Sequence, residues 1–131
     1  MAVDRADGRQ RTVLNRFAKI RIAAALLFAL LALLNAWAQN DSDKRAQAAS
    51  LNLLGTIRAQ EGKLSEAETL FTRALRIDNR LVGAHLNLAR LYLLKGAPEK
   101  TVAELKEALR LEPGNAEAAY RLGWVLFSLS C

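Results

Sequence analysis

The stretch that decides the fold is residues 54–77, LGTIRAQEGKLSEAETLFTRALRI, which returns in related form as residues 88–111, LARLYLLKGAPEKTVAELKEALRL. The two copies are 34 residues apart, and a third, shorter copy begins at the same interval. The dipeptides that open the copies are Leu54-Gly55, Leu88-Ala89 and Leu122-Gly123. Self-similarity at a fixed period predicts an array of stacked supersecondary units.

Each copy contains two segments of helical periodicity separated by a turn, which predicts a helical hairpin. Gly62 and Gly96 follow the first segments, where a left-handed residue that ends a helix favours glycine. Ser65 and Glu68 have the spacing of a capping box at the start of a second segment. In the next copy Pro98 stands near the equivalent start, where its missing N–H is tolerated.

Asp43 and Asn115 are predicted N-caps of the first and last helices. These signals predict an all-α protein of five helices without strands, at 44–60, 65–78, 82–95, 98–111 and 116–129. A signal peptide or signal-anchor segment at 1–38 and a short linker at 39–47 would precede the repeat domain at 48–131. Its units would be 48–81, 82–115 and a partial 116–131.

Small residues at fixed offsets predict where the helices of a pair approach closely, and larger apolar residues fill the space between them. A fully buried large side chain contributes about 1.5–3 kcal/mol. The residues assigned to repeat packing are Leu54, Gly55, Ala67, Phe71, Ala74, Leu88, Ala89, Tyr92, Ala108, Pro113, Leu122 and Gly123.

The combination of Leu-Gly, a mid-repeat glycine, Ala, Phe, Ala and a late Pro at this spacing resembles the tetratricopeptide repeat family. The resemblance covers residues 48–131 and implies an α-solenoid of about two and a half antiparallel hairpins. The sequence departs from the family pattern at Leu51, Arg58, Asn79, His85, Thr101 and Ala119. None of these residues breaks a helix.

The resemblance also implies a scaffold that receives a peptide or helix of a partner protein in a concave groove lined by first helices. The groove residues carried over are Asn52, Thr56, Asn87, Arg90, Tyr120, Arg121 and Trp124. Arginine, tyrosine and tryptophan often dominate interface energies. The alternative for Trp124 and Phe127 is packing in the local core or against another chain.

Some members of this family clamp a C-terminal carboxylate in the groove. Asn87 and Arg121 stand at matching positions, but Asn52, Thr56 and Glu117 occupy the other three. Because Glu117 would repel an anionic ligand, we do not expect the clamp here.

The first 40 residues have the order of an export signal: basic, apolar, small, polar. Six Lys and Arg side chains precede an unbroken apolar run at 22–34, and Ala36 and Ala38 form an A-x-A cleavage site before Gln39. Thirteen helical residues extend roughly 20 Å, which is short of a hydrocarbon core of about 30 Å.

An uncleaved signal anchor is the second interpretation, with residues 22–38 in the membrane and Trp37 at its far interface. In both interpretations the basic flank stays in the cytoplasm and the chain after the apolar run is exported. A cleaved chain would be periplasmic or secreted, and an uncleaved one would be a single-pass inner-membrane protein. A buried helix of a soluble protein is the third, although the run carries no polar residue at helical spacing.

The charge of the chain argues against a nucleic-acid partner. The chain has a net charge of +6. Residues 1–38 carry six basic and two acidic side chains (+4), and residues 39–131 carry thirteen basic and eleven acidic side chains (+2). A nearly neutral body does not form a polyanion groove. The single cysteine, Cys131, excludes an internal disulfide and a thiolate metal cluster. Because the sequence also contains no phosphate-binding glycine loop and no H-E-x-x-H pair, we expect neither a cofactor nor a metal.

Residues 123–129, the end of the last helix, are apolar nearly all round, whereas the end of a repeat array needs a polar outer face. A homo-oligomer, a partner subunit, a membrane surface or a continuation of a truncated reading frame would cover it. Catalysis is not expected, because His85 is the only histidine and no nucleophile motif accompanies it. The function predicted is an adaptor of the cell envelope; the alternative is the N-terminal docking part of a larger membrane-anchored enzyme or biogenesis factor.

Overall fold

The computed structural model describes the backbone of residues 2–131 and the side chains from Asp7 onward. Within this range it contains five helices and no strand. They are α1 (Ala2–Gln60), α2 (Leu64–Ile77), α3 (Val82–Leu94), α4 (Pro98–Leu111) and α5 (Ala116–Ser130). Residue contacts divide the chain into one compact unit up to Asp41 and another from Ser42 to Cys131.

The first unit consists of the amino-terminal part of α1. Every large apolar side chain between Ile22 and Leu34 is at least half exposed, which is contrary to the interpretation as a buried core helix. By length and composition α1 is able to cross a membrane, a property that signal sequences share. Residues 39–47, predicted as a linker, are helical, and Asp43 lies inside α1 instead of capping a helix.

The second unit is a stack of helices in chain order, in which α2 packs on α3, α3 on α4 and α4 on α5. Gly62 (φ +78°) and Gly96 (φ +70°) adopt the left-handed conformation after the first helix of each pair, as predicted. A side chain at either position would be strained, because L-residues rarely adopt this conformation. These two turns reverse the chain and form the hairpins.

Of the four predicted signals for helix starts, two are confirmed, and the capping box, like the Asp43 cap, is wrong. The Asn115 side chain accepts a hydrogen bond from the backbone N–H of Ala118 (2.9 Å), and Pro98 lies in the first turn of α4. Ser65 and Glu68 do not form a capping box, because α2 begins one residue earlier, after Lys63, with no side-chain cap. The Glu68 side chain instead contacts α3.

The core contains two groups of buried side chains, one on each side of α3. The first joins α2 to α3 and comprises Ala67, Phe71, Leu88 and Leu91. The second joins α3, α4 and α5 and comprises Ala89, Leu105, Ala108 and Ala118, with Leu122 packed against it. Ala74 is also fully buried, and Tyr92 packs against the first group.

Gly55 shows why a small residue recurs at this offset. A Cβ placed on Gly55 would lie 2.7 Å from a ring carbon of Phe71, well inside van der Waals contact. The α1 backbone and the Phe71 ring therefore touch directly. Ala89 is the buried counterpart of Gly55 in the second unit.

Three residues assigned to repeat packing are placed differently by the structure. Leu54 is 39% exposed. Its counterpart Leu88 packs on α2, the second helix of the repeat before it, whereas Leu54 belongs to the first repeat of residues 48–131 and contacts no such helix. Pro113 is exposed in the turn before α5. Gly123 has no atom within 4 Å of a Cβ built on it, because the partial third unit contains no second helix.

Candidate interaction groove

The predicted polar groove residues form a hydrogen-bonded cluster between the end of α1 and α3. The Asn87 side-chain amide donates to Asn52 Oδ1 (3.0 Å) and also lies 3.3 Å from Thr56 Oγ1, to which it donates as well. The Thr56 hydroxyl itself donates to the carbonyl of Asn52 (3.0 Å). All three side chains are partly buried. The cluster joins the first two units through the Asn87 amide nitrogen, which is therefore not free to donate to a ligand.

Two depressions open along the first helices of the units. The first has a volume of about 120 Å³, and its lining includes Thr56, Gln60, Asn87, Arg90 and Leu94. The second has a volume of about 450 Å³ and is lined by Ala89, Arg90, Leu93, Thr101, Leu105, Glu117, Tyr120, Arg121, Trp124 and Val125. We call the two together the groove.

The second depression combines a buried apolar base with exposed aromatic walls. Leu105 and Val125 at its base are no more than 2% exposed. Tyr120 and Trp124, on consecutive turns of α5, are 76% and 52% exposed. A buried apolar base and accessible aromatic rings are features of sites that anchor an apolar side chain of a partner.

The two predicted arginines of the groove differ in their surroundings. Arg121 is bound to Glu117 one turn earlier in α5, with 2.9 Å between guanidinium nitrogen and carboxylate oxygen. Arg90 lines both depressions, and its side chain forms no ion pair with a carboxylate of the described residues. Arg90 is therefore the cation that the groove presents to a ligand.

Sequence reasoning missed a polar contact that joins α2 to α3 outside the groove. Tyr92 donates a hydrogen bond to Glu68 Oε1 (3.0 Å), and Lys95 binds the other carboxylate oxygen. The Lys95 ammonium lowers the pKa of Glu68, and burial raises the pKa of Tyr92 to about 12. The Lys100 ammonium lies 5.1 Å from the centroid of the Tyr92 ring, in a cation–π contact. Only the fold brings these residues together, since they come from different parts of the chain.

His85 is buried and joins α3 to α4. Its Nδ1 lies 2.7 Å from Glu104 Oε2 on α4, and its Nε2 lies 3.2 Å from the carbonyl of Asn79. With an acceptor at each nitrogen, the ring fits its doubly protonated form. The hydrogen bond to Glu104 accordingly raises the pKa of His85.

The sequence profile described as tetratricopeptide repeat matches residues 48–80 and 82–115, together just over half of the chain. The chain belongs to the tetratricopeptide repeat (TPR) family. The TPR assignment agrees with the helical hairpins and the small residues between them. The TPR fold is a protein-interaction fold.

Two solved structures illustrate the likeness of this TPR domain to others. The second TPR of Spaghetti (RPAP3), bound to the HSP90 peptide SRMEEVD, matches with a TM-score of 0.66 and 25% identity, over 70% of this chain and 84% of that one. The APC/C hetero-tetramer Cut9–Hcn1 matches with a TM-score of 0.61 and 23% identity, over 63% of this chain and 16% of that one.

Proposed function

We propose that this TPR domain is an adaptor that binds a segment of another protein in its groove. The observation that carries the proposal is the second depression, where exposed Tyr120 and Trp124 stand over a buried apolar base beside Arg90. The binding of a peptide by the second TPR of Spaghetti (RPAP3) supports the choice of a peptide ligand.

The groove defines the chemistry of the segment. An apolar side chain would occupy the depression between Leu93 and Trp124, because the base offers it desolvated contact. An acidic side chain beside it would pair with Arg90, which forms no ion pair within the described residues. The Asn52, Thr56 and Asn87 cluster is already hydrogen-bonded internally and would act as a wall. The ligand is therefore an apolar and acidic segment.

A displayed library of random peptides, selected against the full chain, tests this proposal. Selected peptides are expected to combine apolar and acidic residues, and to lose most of their affinity for Trp124→Ala and Arg90→Glu. Lys106→Glu is the matched control for charge, because this exposed α4 residue lines neither depression. Peptides that bind the two groove variants and the parent chain equally would overturn the proposal.

We also propose that the TPR domain is exported and works in the cell envelope, either released after Ala38 or anchored through residues 22–38. The support is the order of the amino-terminal segment and the exposed apolar run on a helix long enough to cross a membrane. Basic residues precede the run, which favours retention of that end in the cytoplasm.

The single cysteine allows a direct test of this location, because Cys131 is exposed at the far end of the chain. In bacterial spheroplasts, a membrane-impermeant maleimide is expected to label Cys131 without lysis, and Cys131→Ser provides the blank. Labelling that requires lysis would place the domain in the cytoplasm and contradict the proposal.

A further inference from the structure

The part of α1 that precedes the apolar run has two unlike sides. Four large apolar side chains recur at intervals of one, three and three residues, which places them on one side of a helix. They are Val13, Leu14, Phe17 and Ile20. The opposite side is polar and carries Arg11, Thr12, Asn15, Arg16 and Lys19. We call residues 11–20 the amphipathic segment, in contrast to the run at 22–34, which is apolar on every side.

The apolar side of the amphipathic segment is open to solvent. Its four large side chains are between 50% and 67% exposed. In a globular protein such a side of a helix is turned toward a core, but neither core group of the described residues includes any of these four. A contiguous exposed apolar surface of this kind marks a contact with a partner or a membrane.

The polar side carries positive charge that the helix does not balance. Arg11 pairs with Asp7, with 3.3 Å between guanidinium nitrogen and carboxylate oxygen. The next acidic residue of the sequence is Asp41. Arg16 and Lys19 therefore lie more than two helical turns from any carboxylate of α1 from Asp7 onward. Their charges are complementary to an anionic partner.

A bilayer that contains anionic lipids offers both surfaces that the amphipathic segment requires. Its headgroups carry negative charge, and its acyl chains begin directly beneath them. A nucleic acid would match the basic side alone and would leave Val13, Phe17 and Ile20 in water. The segment also ends two residues before the run at 22–34, so an anchored chain holds it beside a bilayer at high local concentration.

We propose that the amphipathic segment binds the anionic surface of the membrane, with its apolar side toward the acyl chains and Arg16 and Lys19 on the headgroups. This inference rests on the anchored form of the export proposal, in which residues 22–38 stay in the membrane. Because α1 continues unbroken from the segment into the apolar run, the helix bends near Arg21 when the segment lies along the surface. The contact fixes the cytoplasmic end of the anchor.

Fluorescent labels on the two sides of the segment test the proposal. In the Cys131→Ser chain, a polarity-sensitive dye is attached at Val13→Cys on the apolar side or at Asn15→Cys on the polar side. The full chain is reconstituted into vesicles of phosphatidylcholine, with or without about a third of phosphatidylglycerol. With phosphatidylglycerol, the emission from position 13 is expected to shift to the blue, while that from position 15 stays close to its value in water. In phosphatidylcholine alone, both stay close to that value.

Removal of charge from the polar side is expected to abolish the shift. Arg16→Gln combined with Lys19→Gln removes two positive charges, each of which changes binding to an anionic surface about fivefold, so the contact should weaken about thirtyfold. The matched control is Arg73→Gln combined with Arg76→Gln, which removes the same charge from exposed positions of α2. This control is expected to leave the shift at position 13 unchanged.

Failure of the anchor and failure of this inference give different results. A chain that floats with neither kind of vesicle contradicts the anchor and, with it, the inference. A chain that floats with both, but whose label at position 13 emits alike in both, keeps the anchor and overturns the inference. Equal blue shifts at positions 13 and 15, or a shift that survives the change of Arg16 and Lys19, would also overturn it. So would a blue shift that a DNA duplex produces and the anionic vesicles do not.

Discussion

The substitutions Gly55→Ala and Gly123→Ala make the same chemical change at the same repeat position and are expected to have opposite effects. Both residues lie within helices, where replacing glycine by alanine stabilises by about 1 kcal/mol. At Gly123 nothing opposes this gain, because no atom lies within 4 Å of the new Cβ. We therefore expect Gly123→Ala to stabilise the chain by about 0.5–1 kcal/mol.

At Gly55 the new Cβ would lie 2.7 and 2.8 Å from two ring carbons of Phe71. Ordinary carbon contacts are about 3.5–4.0 Å, so α1 and the buried ring must separate by about 1 Å. Overpacking of this kind costs about 1–3 kcal/mol. After the helical gain is subtracted, Gly55→Ala is expected to destabilise the chain by up to about 2 kcal/mol.

Helix propensity cancels between the two variants, so their free energies of unfolding should differ by the overpacking cost of about 1–3 kcal/mol. Urea unfolding followed by circular dichroism measures this difference. If Gly55→Ala were as stable as Gly123→Ala, Gly55 would not be the point of contact between α1 and α2, and the explanation of the repeat would fail.

Three further predictions concern charges. Glu104 raises the pKa of His85, so this pair stabilises the fold fully below about pH 6.5, and the stabilisation is lost as the pH rises through the folded-state pKa. Glu104→Gln should remove this pH dependence of the unfolding free energy. Because the Glu68 pKa is lowered by Lys95, Glu68→Gln should destabilise the chain more at pH 7 than at pH 3, and equal loss at both would contradict the contact. The peptide SRMEEVD should bind with the same affinity as free acid and as amide in calorimetry, since Glu117 opposes a carboxylate clamp; a tenfold preference for the acid would show that the clamp is present.

The order and type of the helices could be predicted from the sequence because the decisive signals are local. Gly62, Gly96, Pro98 and Asn115 fix turns and helix ends through their own backbone requirements, and all four are placed as predicted. The prediction of a capping box was wrong because tertiary contacts of the Glu68 side chain replace the local hydrogen bond. Glu68 has the right spacing for a local bond but finds stronger partners in Tyr92 and Lys95, at and beyond the end of the next helix.

The groove could be predicted only as a set of positions. Repeat register places Asn87 near Asn52, but it does not reveal that the two amides bond to each other. It also does not reveal that, among the residues from Asp7 onward, Arg121 has a carboxylate partner and Arg90 has none. The predicted packing of Gly123 was wrong. The 34-residue register predicts which position a residue occupies in its repeat but not which helix packs beside it, and residues 116–131 contain no second helix. Side-chain partners depend on helices that are distant in sequence.

Hydrogen exchange of the full chain, with and without a peptide selected on it, tests most directly that the groove does the recognising. The account predicts slower exchange on binding in two segments, around Arg90–Leu93 of α3 and Tyr120–Val125 of α5, which line the second depression. Slower exchange confined to α2 and α4, or to α1 before Ser42, would contradict it and place recognition outside the groove.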